Sequence, residues 1–158
     1  MTIKRWLETA YARYSPRLPR SLIKGLARLH RLVLIISRGY LGGRLLDRPI
    51  LLLTTTGRRT GKRRTQPLMY LCEAETYLVA ASFGGHDDEP AWLANLRANP
   101  SCTITIHGRD IPIQAEILPA AERERLWPRF LDLFMAYERY QAATSREIAI
   151  VLLRSQQG

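Results

Sequence analysis

The stretch Leu51-Leu52-Leu53-Thr54-Thr55-Thr56-Gly57-Arg58-Arg59-Thr60-Gly61-Lys62-Arg63-Arg64-Thr65-Gln66-Pro67-Leu68 decides how the rest of the chain is read. Ile50 to Thr56 is a leucine and β-branched run of strand length, and Thr65 to Cys72 resumes a strand, so the two form a hairpin with Gly57–Arg64 as its tip. Pro67 lacks a ladder N–H and makes the second strand an edge or bulged one. At the tip, two glycines allow tight turns, their neighbours expose N–H groups, and Arg58, Arg59, Lys62, Arg63 and Arg64 supply charge. That combination suits a phosphate or carboxylate. It is not a nucleotide P-loop: three residues separate Gly57 from Gly61, Arg63 rather than Ser or Thr follows Lys62, and a strand rather than a helix comes next. The competing reading is a solvated tip whose charges only keep the protein soluble, and pattern alone does not separate the two.

Downstream, Tyr77 to Ser82 reads as a strand ending in Gly84-Gly85. Asp88 is placed to cap a short helix with Pro90 in its first turn, stopping at Asn99-Pro100. Thr103 to Ile106 and Ile111 to Leu118 alternate around His107-Gly108-Arg109-Asp110 as a second hairpin. Ala120 to Tyr140 reads as helix interrupted near Pro128, and Ile148 to Leu153 as a last buried strand. Successive hairpins with few βαβ units predict an antiparallel, barrel-like α+β domain.

Upstream, the character changes. Residues 1–48 hold eleven Lys/Arg against Glu8 and Asp47, a balance of +9, whereas residues 49–158 hold thirteen against twelve. Leu22, Ile23, Leu26, Leu29, Val33 and Ile36 recur at helical spacing over 21–37, with Lys24, Arg28 and Arg31 on the other side, which predicts a basic amphipathic helix. The chain therefore divides into a basic helical segment, 1–48, and a barrel domain, 49–158. The longest apolar run, Leu32 to Ile36, is far below the ~20 residues that span a bilayer, and residues 6–20 carry charges and prolines where a signal peptide has an apolar core.

Cys72 and Cys102 lack metal or redox spacing and read as free, buried thiols in a reducing, cytoplasmic setting. His30, His86 and His107 lie apart, and no Gly-x-Ser-x-Gly elbow or His-Glu-x-x-His motif occurs, so hydrolytic and metal chemistry find no support. Asp87, Asp88 and Glu89 read as helix caps rather than catalysts. Phe134, Tyr137 and Tyr140 share a helix face, either as core or as the wall of a pocket. Trp6, Tyr11 and Tyr14 sit among basic residues, but no DNA or RNA motif accompanies them, so nucleic acid ranks last among partners.

From about Pro49 to Leu153 an ordered series of motifs resembles the deazaflavin (coenzyme F-420)-dependent nitroreductase and quinone reductase family. The pieces are Leu51 to Gly61, Arg64-Thr65-Gln66-Pro67-Leu68, Ala80-Ala81-Ser82-Phe83-Gly84-Gly85, Pro90 to Pro100, Tyr137-Glu138-Arg139-Tyr140-Gln141, Thr144 and Arg146-Glu147-Ile148. The resemblance implies an α+β fold: a six-stranded antiparallel split β-barrel of the flavin-reductase or pyridoxamine-phosphate-oxidase type, with flanking helices, often dimeric. It implies the 8-hydroxy-5-deazaflavin F-420 as cofactor, with FMN the lesser alternative, and hydride transfer to a quinone or nitroaromatic acceptor.

Carried over by position, Arg58, Arg59, Thr60 and Arg64 would hold the phosphate and the start of the acidic tail. Thr65, Gln66, Pro67, Leu68, Met69, Ala80, Ala81, Ser82 and Phe83 would contact tail and ring, and Ala91, Trp92, Leu93, Ala94 and Asn95 would complete the site. Trp92 and Asn95 fit packing and capping equally well. Ser82, Tyr137 and Tyr140 would be catalytic, Tyr137 also touching the cofactor, with Phe134, Tyr137 and Tyr140 around the acceptor. Phe83, Phe134 and Ala149 depart from lysine, tyrosine and proline of some members, and Asp87-Asp88-Glu89 brings negative charge near the site. The alternative class is a non-catalytic or FMN-, haem- or fatty-acid-binding barrel at an anionic membrane surface, which the basic helix would serve as a peripheral anchor.

Overall fold

The computed structural model describes residue 29 and residues 31–40, 44–45, 48–74 and 76–156. Most of the basic segment, including residues 21–28, Trp6, Tyr11 and Tyr14, lies outside these. The order is a helix α1 over residues 31–36, β1 (Arg44–Leu45), β2 (Arg48–Thr56), β3 (Arg63–Glu73) and β4 (Thr76–Ala80). A 3₁₀ turn (Phe83–Gly85), α2 (Ala91–Ala98), β5 (Ser101–Ile106) and β6 (Arg109–Ile117) follow, then α3 (Ala120–Leu133), α4 (Ala136–Ala142) and β7 (Ile150–Ser155).

All strand pairs are antiparallel. The order β2-β3-β4-β7-β6-β5 closes on itself because β5 returns to β2, giving a six-stranded barrel with β1 as a short appendage. Side-chain alternation along each strand creates two surfaces. Leu51, Leu53, Val79, Ile104, Ile113, Val151 and Leu153 fill the interior, and α2 adds Trp92, Leu93 and Leu96 to it. The alternate residues Leu78, Ala80 and Ile150 face outward and are covered by Phe130 of α3 and Tyr137 of α4. On the other flank, Leu34 covers Ile50 and Leu52, with Ile35 and Met69 beside them.

The barrel is split at one place. Strand β3 pairs with β2 over Arg63–Met69 but with β4 only over Tyr70–Glu73. Pro67 falls in the stretch with a neighbour on one side only, which is where a residue without an N–H is tolerated.

Four expectations need correction. The helix after β6 is not broken at Pro128: α3 runs through it, and the break comes at Phe134 (φ −155°, ψ 102°). Packing overrides the proline on both sides, since Arg123 donates to the Ile148 carbonyl and lies 4.1 Å over the Trp127 ring, while Phe130 is fully buried. Asp88 caps nothing; the residue at the N-cap of α2 is Pro90, in extended conformation. Asp87 instead accepts from the Thr144 hydroxyl (2.8 Å) and the Ser145 N–H (3.2 Å), bonds that hold its carboxyl below the ordinary aspartate range, and Glu89 pairs with Arg97. Cys72 is exposed rather than buried; Cys102 is half-buried, and burial pushes its thiol up to about 12.

The fourth concerns the amphipathic helix. Of the expected apolar stripe, Leu29, Val33 and Ile36 are exposed, Ile36 at 72%, whereas Leu34 is fully buried. The face turned to the barrel carries Leu34 and Ile35, flanked by Arg31 on the helix and by Arg38, left-handed (φ 52°), just past its end. Arg31 donates to the Thr65 carbonyl (2.9 Å), and Arg38 pairs with Asp110 (2.8 Å) and donates to the Gly108 carbonyl. No helix of the described residues is long and apolar enough to cross a membrane.

Candidate functional site

The split in the barrel is the mouth of a groove. It consists of two adjoining cavities of ≈ 410 Å³ each that share Arg31, Gln66, Ala91 and Trp92. One end is formed by Gly57, Arg58, Arg59, Thr60, Arg64 and Asn95. The other is formed by Pro67, Leu68, Ala80, Ser82, Phe83 and Pro90. The first end is cationic and the second mainly apolar.

The cationic end is rigid for a local reason. Gly61 adopts φ +66°, and both the Thr60 and Gly61 N–H groups donate to the Gly57 carbonyl while Gly57 donates to Lys62. The Arg58 N–H donates to the Asn95 side chain (3.1 Å), and Asn95, 5% exposed, donates in turn to the Thr55 hydroxyl (3.1 Å). The loop's amides are therefore largely spent inside the protein, contrary to the expectation that they point outward, and an anion would be held by guanidinium groups. Asn95 is the strut that fixes the loop on α2. Asn95→Ala should cost about 1–3 kcal/mol in urea unfolding, because the Arg58 N–H and the Thr55 hydroxyl lose their partners.

Among the described residues, Arg58, Arg59, Lys62, Arg63 and Arg64 form no ion pair. Only Arg58, Arg59 and Arg64 of the five line the groove.

The apolar end is built on consecutive left-handed residues, Phe83 (φ 47°), Gly84 (φ 66°) and Gly85 (φ 81°), a conformation L side chains adopt at a cost. Arg146 holds it. One guanidinium donates to the carbonyls of Ala81, Ser82 and His86, each at 3.0 Å. The Ser82 hydroxyl has no hydrogen-bond partner among the described residues and lines the groove, so it is available to a ligand. Behind the turn, the Tyr140 backbone packs so closely that a Cβ on Gly85 would lie 2.9 Å from its carbonyl oxygen.

Of the expected cofactor contacts, the structure brings Arg58, Arg59, Thr60, Arg64, Gln66, Pro67, Leu68, Ala80, Ser82, Phe83, Ala91, Trp92 and Asn95 to this groove. It places others elsewhere. Ala81 and Leu93 are buried in the barrel interior, Met69 faces α1, and Thr65 bonds the Thr54 hydroxyl; neither Thr65 nor Ala94 lines the cavities. Phe134, Tyr137 and Tyr140 form an edge-to-face cluster with Phe130 on the outer side, Trp127 lying tilted against Tyr137, and none of the three lines the cavities. Burial, with Tyr140 beside it, pushes the Tyr137 phenol well above its ordinary value, opposed by the Arg48 charge, so the phenol stays neutral. Arg48 itself donates to the Leu133 carbonyl and lies 5.1 Å over the Phe134 ring.

Two contributors went unread in the sequence: Arg31, which was placed on a basic face, and Arg146, whose motif carried no role. Only their spacing from Leu34 and from the Ala81–His86 turn, invisible without the fold, reveals what they do. Among the described residues no group of His, Cys, Asp and Glu could hold a metal.

A closed antiparallel barrel, split beside a hairpin loop of free guanidinium groups and continuing into an apolar slot, defines a barrel for a cofactor with an anionic tail. The family model described as "F420H(2)-dependent quinone reductase" matches residues 26–155, and the chain belongs to that family. The F420H(2)-dependent quinone reductase Rv1261c of Mycobacterium tuberculosis is 34% identical over 97% of this chain and 98% of its own length. A solved F420-H2 dependent reductase, FDR-A, superposes with a TM-score of 0.62 at 36% identity, covering 68% of this chain and 95% of that one. A structure described as a domain-swapped dimer gives 0.63 at 32% identity, covering 87% and 100%.

Proposed function

We propose that the chain is an oxidoreductase that uses reduced coenzyme F-420 to reduce a quinone. The observation that carries this reading is the groove itself: Arg58, Arg59 and Arg64, without carboxylate partners, at one end, and a mainly apolar slot that Ser82 also lines at the other. The fit is one of donor chemistry. Guanidinium groups bind phosphate and carboxylate bidentately, and a slot walled by Leu68, Phe83 and Trp92 accepts a flat ring.

When bound, the reduced deazaflavin supplies a hydride. The chain's own part is to orient, to exclude water and to provide a hydrogen bond. Arg58, Arg59 and Arg64 would hold the tail, Trp92 and Leu68 the ring, and the Ser82 hydroxyl would bond a polar atom of the ligand in the slot. Phe134 and Tyr140 are half-buried and lie outside the groove lining, with the Tyr140 backbone against the Gly85 turn, so an acceptor would meet them beyond that turn, with buried Tyr137 supporting them. A neutral buried phenol is a reluctant acid, which favours Ser82 or solvent over Tyr137 as the proton source.

For partners, the domain-swapped relative supports a homodimer. The exposed Leu29, Leu32, Val33 and Ile36 support contact with a membrane surface, where quinones reside. Nitro compounds are a second acceptor class to assay beside quinones, and the boundary near residue 48 is offered as one of composition.

The test is to titrate the purified protein with F-420 and with FMN, then follow oxidation of reduced F-420 in the presence of a soluble naphthoquinone. F-420 binding with quinone-dependent oxidation supports the reading. Binding of FMN alone would transfer the site to a flavin, and binding of neither would sink the enzyme assignment.

A further inference from the structure

Arg31 belongs to the helix that the sequence presents as a basic surface arm, yet its side chain lines both halves of the groove. Its reach is set by packing. Leu34, one turn further on, is fully buried against Ile50 and Leu52 on the outer face of β2, and from there Arg31 extends across β3 to donate to the Thr65 carbonyl. Thr65 lies in the part of β3 that has no neighbour toward the split, so the guanidinium stands at the lip of the groove. Arg31 has no carboxylate partner among the described residues. Four N–H donors of its guanidinium remain for other acceptors, because a single bond to one carbonyl uses one of five.

The helix is tied down at its other end by a different arginine. Arg38 bonds Asp110 and the Gly108 carbonyl on the β5–β6 hairpin, and it lines neither cavity. The two arginines thus divide the labour on either side of Leu34: Arg38, just past the helix end, fastens the segment, and Arg31 delivers charge to the groove.

We infer that Arg31 is a ligand-binding residue, a fourth guanidinium that meets an anionic group of the cofactor at the junction of the tail and ring halves. Because Arg31 reaches the groove only when Leu34 is seated, cofactor binding and docking of α1 stabilise one another. The inference rests on the F-420 reading above and adds a residue and a coupling to it.

The experiment measures F-420 binding by fluorescence for wild type, Arg31→Ala, Arg31→Lys, Arg38→Ala and Arg59→Ala at several salt concentrations. It also measures backbone hydrogen exchange of residues 31–40 with and without F-420. Loss of one charge-assisted contact predicts about a tenfold to hundredfold weaker affinity for Arg31→Ala and a shallower salt dependence. Partial recovery is expected in Arg31→Lys, and F-420 should slow exchange in 31–40 of wild type but not of Arg31→Ala. Arg38→Ala loosens the helix without removing groove charge, so its salt dependence should match wild type. If Arg31→Ala merely copies Arg38→Ala in affinity, salt dependence and exchange, Arg31 is only a fastener and the inference is wrong. If wild type binds no F-420, the functional reading falls first; if Arg59→Ala weakens binding and Arg31→Ala does not, only this inference falls.

Discussion

Gly85→Ala is expected to destabilise the protein by about 2–5 kcal/mol, the sum of a left-handed backbone penalty and an overpacked contact. Gly85 has φ +81°, and an added Cβ would lie 2.9 Å from the Tyr140 carbonyl oxygen and 3.0 Å from its Cα. Both atoms belong to the backbone of α4, so no side-chain rotation relieves the clash. Gly84→Ala is the matched comparison, because Gly84 is also left-handed (φ +66°) but nothing lies within 4 Å of the new Cβ. It should cost about 1–2 kcal/mol, the backbone penalty alone. Urea unfolding of both variants separates the terms: equal midpoints would mean that α4 does not bear on the turn at all. The same displacement should lower quinone reduction more than cofactor affinity in Gly85→Ala, since the turn borders the apolar end of the groove and the tail-binding loop is elsewhere.

Arg59→Ala is expected to weaken F-420 binding by about tenfold to a hundredfold, the worth of a charge-assisted hydrogen bond in a partly enclosed site. Lys62→Ala, five residues after Gly57 on the same tip but outside the groove lining, should change affinity little. The comparison decides between a directed clamp and a diffuse cloud of charge. In the first case position matters and in the second only the count does. Equal losses in the two variants, both erased by moderate salt, would return the loop to the role of a solubilising hairpin tip.

The hairpins were legible because each had two concordant signals. Ile50–Thr56 and the strand after the tip combined β-branched composition with glycine punctuation, and the structure extends them only by a residue or two, to Arg48–Thr56 and Arg63–Glu73. His107-Gly108 was legible as a turn, and both residues are indeed left-handed, at φ 46° and 77°. The misreadings occurred where tertiary contacts outweigh a local rule. Pro128 is tolerated because Arg123 and Phe130 hold the helix on either side of it. Asp87 found Thr144, which is 57 residues away, in place of the helix start four residues on. The helix face was misjudged because the periodicity rule counts arginine as outward, whereas Arg31 and Arg38 flank the inward pair Leu34 and Ile35 and set their heads on carbonyl and carboxylate groups of the barrel. The loop arginines of the groove followed from the motif series, but no pattern marked Arg31 and the series gave Arg146 no role, since both act on backbone carbonyls, which any sequence supplies.

The one-sided stretch of β3 has a mechanical meaning. Around most of the barrel, moving neighbouring strands apart breaks ladder hydrogen bonds, but between Arg63–Met69 and the opposite lip there are none, because the β3–β4 ladder begins at Tyr70 and Val79. Along this seam no ladder bonds oppose widening among the described residues, and the side chains beside it each fasten their own bank: Asn95 the tip loop, Arg146 the Ala81–His86 turn and Arg31 the edge of β3. A guest entering there breaks no ladder bond between the described strands and leaves the backbone of the barrel as it was.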